Sequence, residues 1–165
     1  VAQGSELAHI GLGGNLADPV RQVRQGIREL GALPRSRLIR HSALYRTAPV
    51  GEPDQPDFVN AVAVVDTALS AGELLRELLA LEARHGRVRS KPNAPRTLDL
   101  DLLLFGGQVI SEPGLEVPHP RMHQRAFVLI PLVEVTPDAL IPGHGSAADL
   151  VAQLVADQHV TRIHE

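Results

Sequence analysis

Two aspartates, Asp99 and Asp101, interrupt the apolar run Leu98-Asp-Leu-Asp-Leu-Leu-Leu-Phe105. Taking an ionised carboxylate out of water costs on the order of several kcal/mol unless something compensates it. In a strand, residues two apart share a face. Asp99 and Asp101 therefore lie together, about 7 Å apart at Cα, while Leu98, Leu100 and Leu102 take the opposite face toward a core and Leu103 joins the aspartates' side. Two carboxylates this close repel unless a cation or a proton sits between them. The pair suits a hard divalent ion such as Mg2+, which accepts one or two carboxylates plus substrate phosphates. Two such ions about 4 Å apart would clamp a phosphoryl group in transfer. The alternative is an exposed strand face with Asp99 paired to Arg96. The preceding segment favours metal. From Arg84 to Arg96 the chain reads RHGRVRSKPNAPR, with five Lys or Arg residues in 13 positions, and guanidinium forks match phosphate oxygens.

Other candidates are less specific. No G-x-x-x-x-G-K-[ST] phosphate loop is present, and Gly11-Leu-Gly-Gly-Asn15 is not G-x-G-x-x-G, so it is read as a tight strand–helix turn. His119 and His123 stand four apart, but Pro120 argues against one helix carrying both as zinc ligands. His119 is read either as a phosphate or leaving-group contact or as a plain loop residue. Phe58 and Asn60 are strand partners two apart. They would pack against a flat heterocycle and bond its edge, or serve as ordinary core and strand-edge residues.

The elements that must position these residues follow from periodicity. Residues 7–13 read as a strand, and Asp18-Pro19 opens a helix with an apolar stripe of Val20, Val23, Ile27 and Leu30. Residues 37–46 read as one strand and 58–66 as another, separated by a proline-rich loop. Ser70-x-x-Glu73 is a capping box for a helix to about residue 85, with Leu74, Leu75, Leu78 and Leu79 as its stripe. Glu82 continues that stripe, either emerging into solvent or pointing into a site. Residues 98–105 form the aspartate strand, followed by a Gly106-Gly107 turn into Val109-Ile110 as a short hairpin partner. Residues 117–121 form an irregular loop, 125–135 a helix and 146–155 a final capped helix. The order is βαββαβ plus a C-terminal extension. This is a ferredoxin-like α+β pattern with an antiparallel sheet and helices on its faces, expected as one domain over residues 1–165.

Composition bounds the rest. The chain has 165 residues, 44% of them hydrophobic, with a net charge of -3 and no cysteine. It is long enough for a real core, and general affinity for nucleic acid is not expected. Disulfides, thiolate zinc sites and cysteine nucleophiles are excluded. The aromatic residues are Tyr45, Phe58, Phe105 and Phe127, so the core must be aliphatic. No apolar run approaches the roughly 20 residues of a membrane helix, and no signal peptide is expected. The expected location is the cytoplasm. Val1 in place of an initiator Met leads to the expectation that the chain is trimmed or cut from a longer one.

Several blocks together resemble one family. They are Gly13-Gly-Asn-Leu16, Ala43-Leu-Tyr-Arg-Thr47, Asp54-Gln-Pro-Asp-Phe-Val-Asn60, Gly86-Arg-Val-Arg89, Pro95-Arg-Thr-Leu-Asp-Leu-Asp101 and Val117-Pro-His119 with Arg125-x-Phe127. The chain resembles the 6-hydroxymethyl-7,8-dihydropterin pyrophosphokinases of folate biosynthesis over about residues 10–140. That resemblance implies transfer of the terminal diphosphate of ATP to the pterin hydroxymethyl, with release of AMP. It implies two Mg2+ ions on Asp99 and Asp101, and Arg87 and Arg96 on the phosphates as catalytic groups. Arg89, Glu82, Leu102 and His119 would complete the ATP side. Thr47, Ala48, Val50, Phe58, Asn60 and Phe127 would form the pterin pocket, with Arg125 also on the substrate side. The partners implied are ATP and the pterin, and the protein is expected as a monomer. The pattern departs at Asn93-Ala94, where many relatives carry Trp-Gly, and at Pro120, where an aromatic often follows the histidine.

Two rival classes remain open at this point. A nucleotidyltransferase also uses an Asp-x-Asp strand and would release pyrophosphate, but its glycine turn lies much nearer the aspartates than Gly13-Gly14 does here. A ferredoxin-like regulatory domain would bind a small ligand without needing Asp99, Asp101, Arg87 and Arg96 together.

Overall fold

Strand β4 (Phe58–Thr67) is buried along nearly its whole length and organises the sheet. The computed structural model describes residues 4–49, 54–86 and 97–164. On one side β4 pairs antiparallel with β1 (Glu6–Gly14), which pairs in turn with β5 (Asp99–Phe105). On its other side β4 pairs with β2 (Ser36–His41) near its C-terminal end and with β3 (Tyr45–Thr47) near its start. Helix α1 (Pro19–Leu30) follows β1, and α2 (Ala71–Arg84) joins β4 to β5. The strand order and antiparallel pairing match the expected split βαβ arrangement.

The helix starts are where the local chemistry puts them. Asp18 caps α1 with Pro19 at its first turn, and Ser70 and Glu73 form the reciprocal capping box of α2. α1 buries Val23, Ile27 and Leu30 as expected. α2 instead buries Leu74, Leu78 and Leu81, leaving Leu79 exposed. Both helices cover one face of the sheet, where Ile10, Leu12, Leu98, Leu100 and Leu102 meet them in an aliphatic core. The opposite face carries Val62, Val64, Leu103 and Leu104 under α3 (Ala126–Val135) and α4 (Ala147–Leu154). A bulge makes this switch possible. Ile10 faces Leu102 and His9 faces Leu104, so Leu103 is an extra residue and both leucines reach the second core.

Three expectations are corrected. Residues 37–46 do not form one strand. The chain leaves the ladder after β2, where the Ser42 hydroxyl accepts the Val62 N–H and the Glu134 carboxylate accepts the Ala43 N–H. Val109-Ile110 is not a hairpin partner of β5. Instead β6 (Ile110–Glu112) pairs with β7 (Leu115–Val117). The strand expected over residues 7–13 is β1, and it runs on through Gly14, so Gly11-Leu-Gly-Gly-Asn15 is not a tight turn. The C-terminal extension contains a short hairpin of β8 (Leu140–Ile141) and β9 (Gly145–Ser146), and then β10 (Val160–Arg162), which pairs with β3 and was not foreseen. Among the described residues, no helix is long and apolar enough to cross a membrane.

His9 gives this core a pH dependence. It is 8% exposed, and its Nε2 lies 2.8 Å from the Thr136 hydroxyl. Burial, helped by the Arg40 charge, pushes its pKa down to about 4. Above pH 6.5 the imidazole is neutral in both the folded and the unfolded chain. As pH falls from 6.5 through 4 the unfolded chain takes up the proton first, and stability drops by roughly 3 kcal/mol. Urea unfolding at pH 7 and pH 4.5 should show that loss, and His9→Gln should flatten the pH slope. An unchanged slope in the variant would contradict this role for His9.

Candidate active site

The second face of the sheet is not covered from end to end. Where α3 begins, the helical layer stops and the sheet floor opens into a cavity of about 580 Å3. The register explains how the floor is built. Asn60 faces Gly13 and Gly13 faces Asp99, so these three residues form one row across β4, β1 and β5. The next row is Val62, Gly11 and Asp101. Residues directly opposite in antiparallel strands present side chains to the same face. The amide of Asn60 and the carboxylate of Asp99 thus stand on one surface, with only a glycine between them. Two strand spacings put their Cα atoms about 10 Å apart.

The glycine is required by space. A Cβ on Gly13 would lie 2.7 Å from Asn60 Oδ1, closer than real Cβ contacts allow. Gly11 is the less crowded of the two, its Cβ meeting the Leu103 side chain at 3.4 Å. Gly11 and Gly13 line the cavity together with both aspartates. Both lie in the strand expected over residues 7–13, and neither is among the expected site residues. Their spacing of two, equal to that of Asp99 and Asp101, is the signal that would have found them.

The walls come from separate parts of the chain. Asn60 is 7% exposed, and its Nδ2 donates to the Thr47 hydroxyl at 3.3 Å. Thr47, Ala48 and Phe58 line the same cavity, and Arg125 and Phe127 close it from the start of α3. The Arg125 guanidinium stands 5.6 Å from the Phe127 ring centroid, within cation–π range. Asn15, 1% exposed, ties the end of β1 to the approach to β4 by donating to the Gln55 side chain and the Pro56 carbonyl. It joins two of the blocks quoted above, and its role was not foreseen.

Other expected residues lie elsewhere. Glu82 neither emerges into solvent nor lines the cavity. It is 2% exposed beneath β5, and its carboxylate accepts the Leu100 N–H at 2.7 Å. β5 is an edge strand of the sheet, so this bond satisfies an edge donor between the two aspartates and helps fix their pitch. Leu102 points away from the cavity into the core under α1 and α2. His119 lines a second cavity of about 280 Å3 with Ile110, Ser111 and His144. Its N–H donates to the Leu103 carbonyl, and its Nδ1 accepts from the Arg121 N–H. Burial and the Arg125 charge push its pKa down to about 4 despite the opposing pull of Asp99, so the ring is neutral near pH 7. Val50, Arg87, Arg89 and Arg96 lie outside the described residues.

Comparison with known proteins identifies the group. The family model described as 7,8-dihydro-6-hydroxymethylpterin-pyrophosphokinase matches residues 9–137. The chain belongs to this family. It is 41% identical over 157 residues to the 2-amino-4-hydroxy-6-hydroxymethyldihydropteridine pyrophosphokinase of Haemophilus influenzae, covering 95% of this chain and 98% of that one. It is 46% identical over 144 residues to the protein of the same name from Pseudomonas aeruginosa, covering 87% and 89%. Among solved structures, Plasmodium falciparum HPPK-DHPS superposes with a TM-score of 0.72 at 13% identity over 92% of this chain. The match spans 45% of that longer chain and supports the pyrophosphokinase family's fold alone.

Proposed function

We propose that this chain transfers the diphosphate of ATP to the hydroxymethyl group of 6-hydroxymethyl-7,8-dihydropterin, giving AMP and the pterin diphosphate. The observation that carries the proposal is the row Asn60, Gly13 and Asp99, with Asp101 one row on. It offers an amide to bond the edge of a flat heterocycle and carboxylates within reach of that heterocycle's side arm. Phe58 and Phe127 supply apolar surface in the same cavity. Thr47 and Ala48 stand on the pterin side, where Val50 would join them, and Arg125 stands on the substrate side.

In the reaction the hydroxymethyl oxygen bonds to the β-phosphorus of ATP. The bond from the β-phosphorus to the α,β-bridging oxygen breaks, AMP leaves, and the hydroxyl proton is lost. Such transfers need positioning and charge stabilisation more than covalent catalysis. Asp99 and Asp101 fit a Mg2+ site. Both are half-buried, they share one face of β5, and both line the cavity. Among the described residues no third His, Asp or Glu joins them, which suits an ion that keeps several waters and takes phosphate oxygens. Two Mg2+ ions would screen the triphosphate charge when bound. Arg87, Arg96 and Arg89 would meet the phosphates. His119, neutral and lining the second cavity, would contact ATP. Glu82 and Leu102 would support the ATP side from the core face of β5. The protein would act as a single-domain monomer in the cytoplasm, without nucleic acid or membrane.

The test is a set of omission assays. AMP should accumulate only when ATP, Mg2+ and the pterin are all present, and EDTA should stop it. AMP formed without pterin, or at the same rate in EDTA, would overturn the proposal.

A further inference from the structure

Helix α3 carries Arg125 and Phe127 into the cavity, yet its own sequence does not cap it. Its N-cap residue, Arg125, makes no side-chain capping bond, and its first turn holds no acidic residue. The missing partner comes from 32 residues further along the chain. The Gln158 side chain accepts the Ala126 N–H through Oε1 at 2.8 Å and donates from Nε2 to the Gln124 carbonyl at 2.9 Å. One amide thereby joins the carbonyl before Arg125 to the N–H after it. Gln158 also lines the cavity, beside Arg125 and Phe127.

The segment that carries Gln158 is itself anchored. Its N–H bonds back to the Leu154 carbonyl at the end of α4, and two residues later β10 begins. β10 pairs with β3 so that Val160 faces Thr47, the residue that accepts from Asn60. The C-terminal segment thus ties the sheet side of the cavity to its helical side.

We propose that Gln158 is the positioning residue of the substrate pocket, setting the angle at which Arg125 and Phe127 enter it. The proposal rests on the pterin reading above. A helix-capping group supplied from a distance fixes where the first turn points as well as whether it forms. Its loss should therefore weaken the ligand that Phe127 contacts more than the one held at the aspartates.

The test compares Gln158→Met, which keeps the length and removes both bonds, with Gln158→Glu, which keeps an acceptor for the Ala126 N–H. Wild-type protein is first titrated with 6-hydroxymethyl-7,8-dihydropterin by its fluorescence. Gln158→Met should raise the pterin Kd and KM about tenfold, the scale of one lost charge-free cap, with the KM for ATP and kcat within twofold. Gln158→Glu should recover most of the affinity. Hydrogen exchange at the Ala126 and Phe127 amides should speed up in Gln158→Met even without ligand. Unchanged exchange and unchanged pterin Kd would overturn the inference. So would equal rises in both KM values accompanied by a matching fall in Tm. Absence of pterin binding in wild type would refute the pterin reading and this inference with it. Normal wild-type binding with an indifferent variant would refute the inference alone.

Discussion

Asp101→Ala is expected to lower turnover by roughly 10^3-fold or more, the scale of losing a metal-centred charge clamp, while leaving pterin binding within a few-fold of wild type. The reason is geometric. Asp101 stands on β5 opposite Gly11, one row from the Asn60–Gly13–Asp99 row, so the heterocycle end of the cavity does not depend on it. Folding should survive the change. The side chain is half-buried and lies outside both aliphatic cores. Steady-state kinetics, pterin fluorescence titration and a melting curve on the same preparation check this. Activity within tenfold of wild type would contradict the role given to Asp101. A loss matched by collapse of the melting curve would show that the residue holds the fold instead.

Gly13→Ala should be the most damaging single-methyl change in the cavity floor. The added Cβ would stand 2.7 Å from Asn60 Oδ1. Relief must come from rotating the Asn60 amide, and its Nδ2 is already committed to the Thr47 hydroxyl in a buried setting. Overpacking of this kind costs roughly 1–3 kcal/mol, and breaking the amide's orientation adds to the loss of ligand affinity. Pterin affinity should therefore fall about ten- to a hundredfold. Gly11→Ala, with its nearest neighbour at 3.4 Å, should fall much less. Isothermal titration of the two variants side by side separates them. Equal and small effects would show that the Asn60 row does not form the ligand floor.

What could be read in the sequence was what local rules decide. The starts of α1 and α2 followed from Asp18-Pro19 and from Ser70 with Glu73, because capping is settled within four residues. The shared face of Asp99 and Asp101 followed from the two-residue period of a strand. Leu103 on their side was also expected, and the bulge that makes Leu104 join it was not, because it depends on β1. The features that escaped involve distant partners. The break after β2 is held by Ser42 and by Glu134, the latter 91 residues from the amide it accepts. Glu82 looked like the end of a stripe, and the Leu100 N–H on the β5 edge that its carboxylate accepts comes from 18 residues away. Gln158 sits in an unremarkable stretch, and its role exists only because α3 lacks a cap of its own. Gly11-Leu-Gly-Gly-Asn15 reads as the turn that ends the 7–13 strand because glycine clusters usually mark one. Here the value of Gly11 and Gly13 is the absence of a side chain between Asn60 and Asp99.

The most direct measurement follows the two ends of ATP separately. The protein is incubated with Mg2+, 6-hydroxymethyl-7,8-dihydropterin and ATP labelled either at the α- or at the γ-phosphate, and the products are separated by chromatography. Diphosphate transfer predicts that the α label ends in AMP and the γ label in the pterin diphosphate, in equal amounts. Label from the γ position in a pterin monophosphate with ADP, or label from the α position on the pterin with free pyrophosphate, would contradict it.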